Sequence, residues 1–174
     1  MTPRVRRLSL TAHVATSVGW VGAVVTVVAI AAVGLTGADA TTVRGAYLVM
    51  DPVARFVLVP LALLSLATGV VQSLGTGWGL LRHHWVVVKL AITVLATAVL
   101  LLYLRTFAAM ADAAADPAAG LDDVRNPSPL VHAGLAVVSL LVATVLGVYK
   151  PRGLTRLGRR AARRSSGSRT PVAD

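Results

Sequence analysis

Apolar positions fall into four long runs separated by short polar stretches. The first, Leu8–Leu35, is 28 residues long, contains one ionisable side chain, His13, and follows Arg4, Arg6 and Arg7. A run of at least ~18 apolar residues reads as a membrane-spanning helix, and this one is long enough to predict a tilt. Gly34, Thr36, Gly37 and Asp39 are expected to close it. Asp51-Pro52 is expected to start a second helix over Val53–Leu74, since aspartate caps and proline needs no amide donor in a first turn. Pro60 predicts a kink there. A glycine-rich turn, Gly75–His84, leads to a third helix over Trp85–Leu104. The acidic loop Met110–Pro127 follows, with Asp112, Asp116, Asp122 and Asp123. Ser128-Pro129 repeats the cap-then-proline signal before a fourth helix, Leu130–Tyr149, which Pro151 ends. The expectation is an all-α integral membrane four-helix bundle within residues 1–151. The tail over 152–174, rich in Arg and Ser and without apolar periodicity, is expected to be disordered.

Charge sharpens this picture. The chain has 174 residues and a net charge of +10, is 56% hydrophobic and 14% charged, and has no cysteine. Disulfides, thiolate metal sites and thiol nucleophiles are thereby excluded. Lys150, Arg152, Arg156, Arg159, Arg160, Arg163, Arg164 and Arg169 lie just beyond the last apolar run. Placed there, they read as an orientation signal and an anionic-lipid contact, not as a nucleic-acid footprint. With Arg82 in the second turn and the arginines before the first helix, they put both termini in the cytoplasm of a multi-pass protein of the cell membrane. Ala38-Asp39-Ala40 resembles a signal-peptide cleavage site, but the first run is about twice the ~7–15 residues of a signal h-region, so it is read as a retained helix.

An ionisable side chain inside a span is a functional hypothesis by default. His13 lies about 8 Å and Lys89 about 6 Å from the same edge at ~1.5 Å rise per residue, so the two are expected to meet at one level. Helical phase puts His13, Thr16, Ser17 and Trp20 on one stripe, and Ser65, Thr68 and Gln72 on another. His132 enters from the opposite face. His83 and His84 fall in the second turn, at the membrane interface, while Arg55 and Arg105 lie near the outer boundary.

Several spacings together resemble the HemJ-type protoporphyrinogen oxidase family of small haem-associated membrane proteins, and more loosely the copper-resistance D-like domain. They are His13, Trp20 and Gly22 in the first helix; Arg55, Pro60 and Thr68-Gly69 in the second; Trp85 and Lys89-Leu90 in the third; and Arg125-Asn126, Pro129 and Lys150-Pro151 framing the last. The resemblance spans Leu8–Pro151. It implies that His13 ligates the iron of a haem b and that Lys89 is required for activity; the expected site adds Lys89 and Arg55 as polar partners and Trp20 and Trp85 as walls. The chain departs from the family pattern after the first helix, where Gly34-Leu35-Thr36-Gly37 stands in place of Arg and His, and at Pro127, in place of Glu.

The leading expectation is a non-covalent b-type haem or porphyrin site between the first and third helices, of oxidoreductase-like character, with a membrane redox partner or a second copy as companion. The rival is a cofactor-free scaffold or accessory subunit. Copper handling through histidine and methionine is a third reading, resting on Met50, Met110 and His132 at the outer side.

Overall fold

The structure, a computed structural model, describes residues 2–75, 80–151, 153–156 and 158–159. Trp78 and most of the basic tail, including the disorder expected of it, lie outside the described residues. Among those described, four helical segments are long and apolar enough to cross a membrane: Pro3–Thr36, Ala40–Leu74, His84–Ala115 and Leu121–Tyr149. The protein is an all-helical, multi-pass membrane bundle. Leu8, Phe56, Leu102 and Val148, each more than two-thirds exposed, face outward as a lipid-solvated surface requires.

Helix α1 covers Pro3–Thr36. It starts five residues before the apolar run because Thr2 accepts the amide of Val5 and Pro3 occupies the first turn. The second span is not a loop followed by a helix. It is helical from Ala40 onward: α2 (Ala40–Val53), a π-helical turn (Ala54–Leu58) and α3 (Val59–Leu74). Its cap is Asp39, whose carboxylate accepts from Thr42 N at 2.8 Å and Thr42 Oγ1 at 2.9 Å; Asp51-Pro52 lies inside the helix. The sequence expectation missed α2 because its polar residues, Thr41, Thr42, Arg44 and Asp51, sit on one side. Val43, Ala46, Tyr47 and Met50, spaced three and four apart, are buried on the other. Pro52 and Pro60 each remove a donor from the helical ladder, and between them Val59 N bonds back to Ala54 O in the π register. The expected irregularity is therefore a widened turn just before Pro60.

Helix α4 extends from His84 to Ala115, eleven residues past the expected end at Leu104. Its extension, rich in alanine, buries Phe107, Met110 and Ala114. A single turn, α5 (Leu121–Val124), precedes α6 (Ser128–Tyr149). Ser128 is not the cap of α6; Asn126 Oδ1 accepts its amide at 2.9 Å.

Around the bundle the order is α1, α2–α3, α4, α6, so that α1 faces α4 across the axis and α3 faces α6. The acidic end is closed by polar ties. The Tyr47 hydroxyl, on a fully buried ring, donates to Asn126 O at 3.0 Å and accepts from Asn126 N at 2.8 Å. The Arg44 guanidinium donates to the carbonyls of Ala114, Asp116 and Ala119, and Arg125 donates to Gly37 O at 2.7 Å. Of these acceptors Ala114 O belongs to the last turn of α4, where carbonyls lack a partner within the helix, and Gly37 O and Asp116 O lie just past the ends of α1 and α4. At the basic end, Lys150 turns the chain in the left-handed conformation, and the following residues lie on the turn before α4. Thr155 N bonds to Arg82 O at 3.0 Å, and Leu154 bridges His83.

Candidate functional site

A cavity of about 250 Å³ opens at the basic end, and all four spans contribute to it. His13 comes from α1, Gly69 and Gln72 from α3, Trp85 and Lys89 from α4, and Gly147 from α6. Two glycines make the arrangement possible. A Cβ on Gly69 would stand 3.1 Å from the His13 ring, and one on Gly147 would stand 3.3 Å from Lys89 Nζ. The imidazole thus lies against the backbone of α3, and the lysine lies against that of α6.

The hydrogen bonds have a direction. Thr68 Oγ1 donates its proton to Leu64 O at 2.6 Å, so toward His13 Nδ1, 3.1 Å away, it acts as acceptor. Nδ1 therefore carries the ring proton in the neutral imidazole, and Nε2 presents its lone pair to Lys89 Nζ at 3.3 Å. Helices α1 and α4 do not pack directly on one another among the described residues, so the long lysine stem reaches across the axis. One turn deeper, Ser17 and Ser65 share a hydrogen bond of 2.8 Å, with Ser65 fully packed between helices. Intramembrane hydroxyls are expected to find such partners.

No aspartate or glutamate lines this cavity among the described residues. Its polar lining is otherwise made of Ser65, Gln72, Ser73 and Thr93, with Lys150 at the mouth. The Gln72 Oε1 is buried and has no hydrogen-bond partner there. The arrangement is a pocket at the basic end of the bundle with the Lys89 amine inside it and no acidic side chain among its described lining residues.

The expected site residues do not all gather here. His13, Lys89 and Trp85 do. Trp20, 3% exposed, lines a separate cavity farther along α1 with Val24, Leu58 and Phe107. Arg55 lies on the π turn and pairs with Asp51 at 2.8 Å. His132 lines the Trp20 cavity and stacks on Tyr103, with ring centroids 4.5 Å apart. Among the described residues no group of three or more histidines or acidic side chains is placed to hold a metal ion. Gly147 and Lys150 were not singled out as site residues from the sequence; a glycine in an apolar helix one turn from a terminal lysine was the available signal.

A haem iron held by His13 would need a free ring nitrogen directed into the cavity. Both nitrogens of His13 are engaged, and Nε2, the one directed into the cavity, accepts from Lys89. The cavity is smaller than the ~300–1,000 Å³ usual for cofactor sites. As arranged, these side chains do not fit haem iron at His13. Comparison with family models, with curated proteins and with solved structures returns no match.

Proposed function

We propose that this multi-pass membrane protein binds the anionic group of a lipid-soluble molecule at the basic end of its bundle. Lys89 is the counter-ion, and His13 and Thr68 hold its amine in place. The observation that carries the reading is the position of Lys89: on the bundle axis, half-buried, in a cavity with no lining carboxylate among the described residues. An ammonium withdrawn from water gains most from an opposite charge, because in a low dielectric the attraction is strong and desolvation costs several kcal/mol unless it is offset. The Gln72 amide and the Ser73 hydroxyl supply further donors for anionic oxygens, while Thr93 has given its proton to Lys89 O at 2.9 Å.

The shared ligand chemistry is a phosphate or carboxylate on an apolar body. Two sources supply it: the headgroup of an inner-leaflet phospholipid, and the propionates of a porphyrin. Thermal unfolding of the detergent-solubilised protein with added probes separates them. The probes are phosphatidylglycerol, phosphatidylcholine, protoporphyrin as its diacid, and the same ring as its dimethyl ester. A ligand present at ~100 times its Kd stabilises by about 2.7 kcal/mol, which raises Tm by roughly 5–10 °C for a chain of this size. One anionic probe is expected to give that shift and its neutral counterpart none, with the shift lost in Lys89→Gln and retained in Lys89→Arg. Equal shifts from charged and neutral probes, or an undiminished shift in Lys89→Gln, would overturn the proposal. A Soret band that disappears in His13→Ala would replace it with iron ligation.

A further inference from the structure

The cavity that takes Trp20 has a chemistry unlike the first. It is about 490 Å³, within the ~300–1,000 Å³ of small-molecule sites, and runs between α1, α4 and α6 from the middle of the bundle toward the acidic end. Trp20 and Val27, almost fully buried, form its floor. Leu95 of α4 and Leu135 of α6, 66% and 62% exposed, stand at its rim, so it opens sideways toward acyl chains. No lysine, arginine or acidic residue lines it among the described residues, and an ionic head gains nothing there.

Tyr103 and His132 line its polar end, with Ser128 behind them. Tyr103 Oη and Ser128 Oγ are 2.6 Å apart, and the His132 ring stacks on Tyr103. His132 Nδ1 lies 2.9 Å from Ser128 O. A carbonyl only accepts, so Nδ1 carries the proton and the neutral imidazole keeps an acceptor lone pair at Nε2. Among the described residues that lone pair has no hydrogen-bond partner. His132 is four residues into α6, about 6 Å along its axis from the helix start, and its ring is exposed, so a ligand reaches it from outside the bundle.

We infer that this second cavity binds a hydroxyl-headed lipid: an uncharged molecule whose O–H donates to His132 Nε2 while its hydrocarbon lies between α4 and α6 over Trp20. A hydroxyl matches the acceptor, and an apolar chain matches the walls. The two cavities share no lining residue, so this inference does not depend on Lys89.

The test uses the full chain reconstituted in phosphatidylcholine vesicles with hexadecan-1-ol carrying a chain diazirine, and with its methyl ether, which lacks the donor. After photolysis, labelled residues are mapped by mass spectrometry. The alcohol is expected to label the stretches Leu95–Leu100 and Ala133–Ser139 about fivefold more than the ether, the discrimination one hydrogen bond supplies. His132→Phe, which keeps a ring against Tyr103 and removes the acceptor, is expected to erase the difference. Ala96→Leu, which fills the cavity, is expected to suppress labelling by both probes. Equal labelling by alcohol and ether in the unaltered protein would overturn the inference and identify the cavity as a groove filled by ordinary acyl chains. A preference that survives His132→Phe, or labelling unchanged in Ala96→Leu, would overturn it as well. The alcohol–ether comparison needs no variant, so it stands even if neither substitution folds.

Discussion

Gly69→Ala sets two effects of opposite sign against each other at the centre of the proposed site. Alanine in a helix interior is favoured over glycine by about 1 kcal/mol. The added Cβ, however, would stand 3.1 Å from His13 Cε1 and 3.5 Å from Nδ1. The ring must yield by a few tenths of an ångström, and it is pinned on one side by Thr68 and on the other by Lys89. The His13–Lys89 contact is already 3.3 Å, so a shift of that size takes it out of hydrogen-bond range. A hydrogen bond to a charged group is worth roughly 1.5–3 kcal/mol, which exceeds the helix-propensity gain. The variant is therefore expected to be less stable than the parent by about 0.5–2 kcal/mol. In the His13→Ala background the clash is gone, and the same substitution should instead stabilise by about 1 kcal/mol. The assay is a double-mutant cycle by reversible unfolding in mixed micelles, in which residues that touch reveal themselves through non-additivity. Stabilisation by Gly69→Ala in both backgrounds would show that His13 does not lie on α3 and would refute the geometry of the site.

Other outcomes follow from the same structure. Tyr47→Phe removes both hydrogen bonds to Asn126 at a fully buried position and is expected to cost about 1–3 kcal/mol in unfolding free energy. Arg44→Ala leaves the carbonyls of Ala114, Asp116 and Ala119 without their shared donor, so limited proteolysis should cut within 116–120 faster than in the parent. The amide and hydroxyl of Thr42 hold the exposed Asp39 carboxyl below the usual carboxylate range. Its contribution to stability is then present above the ordinary pKa of ~3.9 and lost as pH falls through the lowered value. Asp39→Ala should accordingly flatten the acid limb of a stability–pH profile while leaving the neutral region offset by a constant.

The four spans were legible in the sequence because lipid imposes one requirement, a run of apolar residues about as long as the membrane is thick. The level at which His13 and Lys89 meet was legible too, since helix rise alone gives depth. The ends of the helices were less so. The stretch Thr41–Asp51 reads as polar on average, and Asp51-Pro52 mimics a helix start. The buried stripe of Val43, Ala46, Tyr47 and Met50 marks the helix, but only when phase is weighed above composition. The extension of α4 was hidden in the same way, by Asp112 and by alanines that carry little hydropathy. Helical phase also placed Trp20 on the stripe of His13, yet seven residues of rise separate two cavities that a wheel projects onto one face. Arg44 reads as a loop charge from its neighbours. Its three carbonyl partners lie 70 and more residues away and could not be foreseen.

Whether Lys89 holds an anion is read without any label by native mass spectrometry. The parent protein and Lys89→Gln would be extracted from the same mixture of phosphatidylglycerol, phosphatidylcholine and protoporphyrin diacid, and the ligand retained by each counted. The parent is expected to keep one of the two anionic molecules in preference to the zwitterionic lipid, and Lys89→Gln is expected to show no such preference. Identical retention by the two proteins would contradict the role proposed for Lys89.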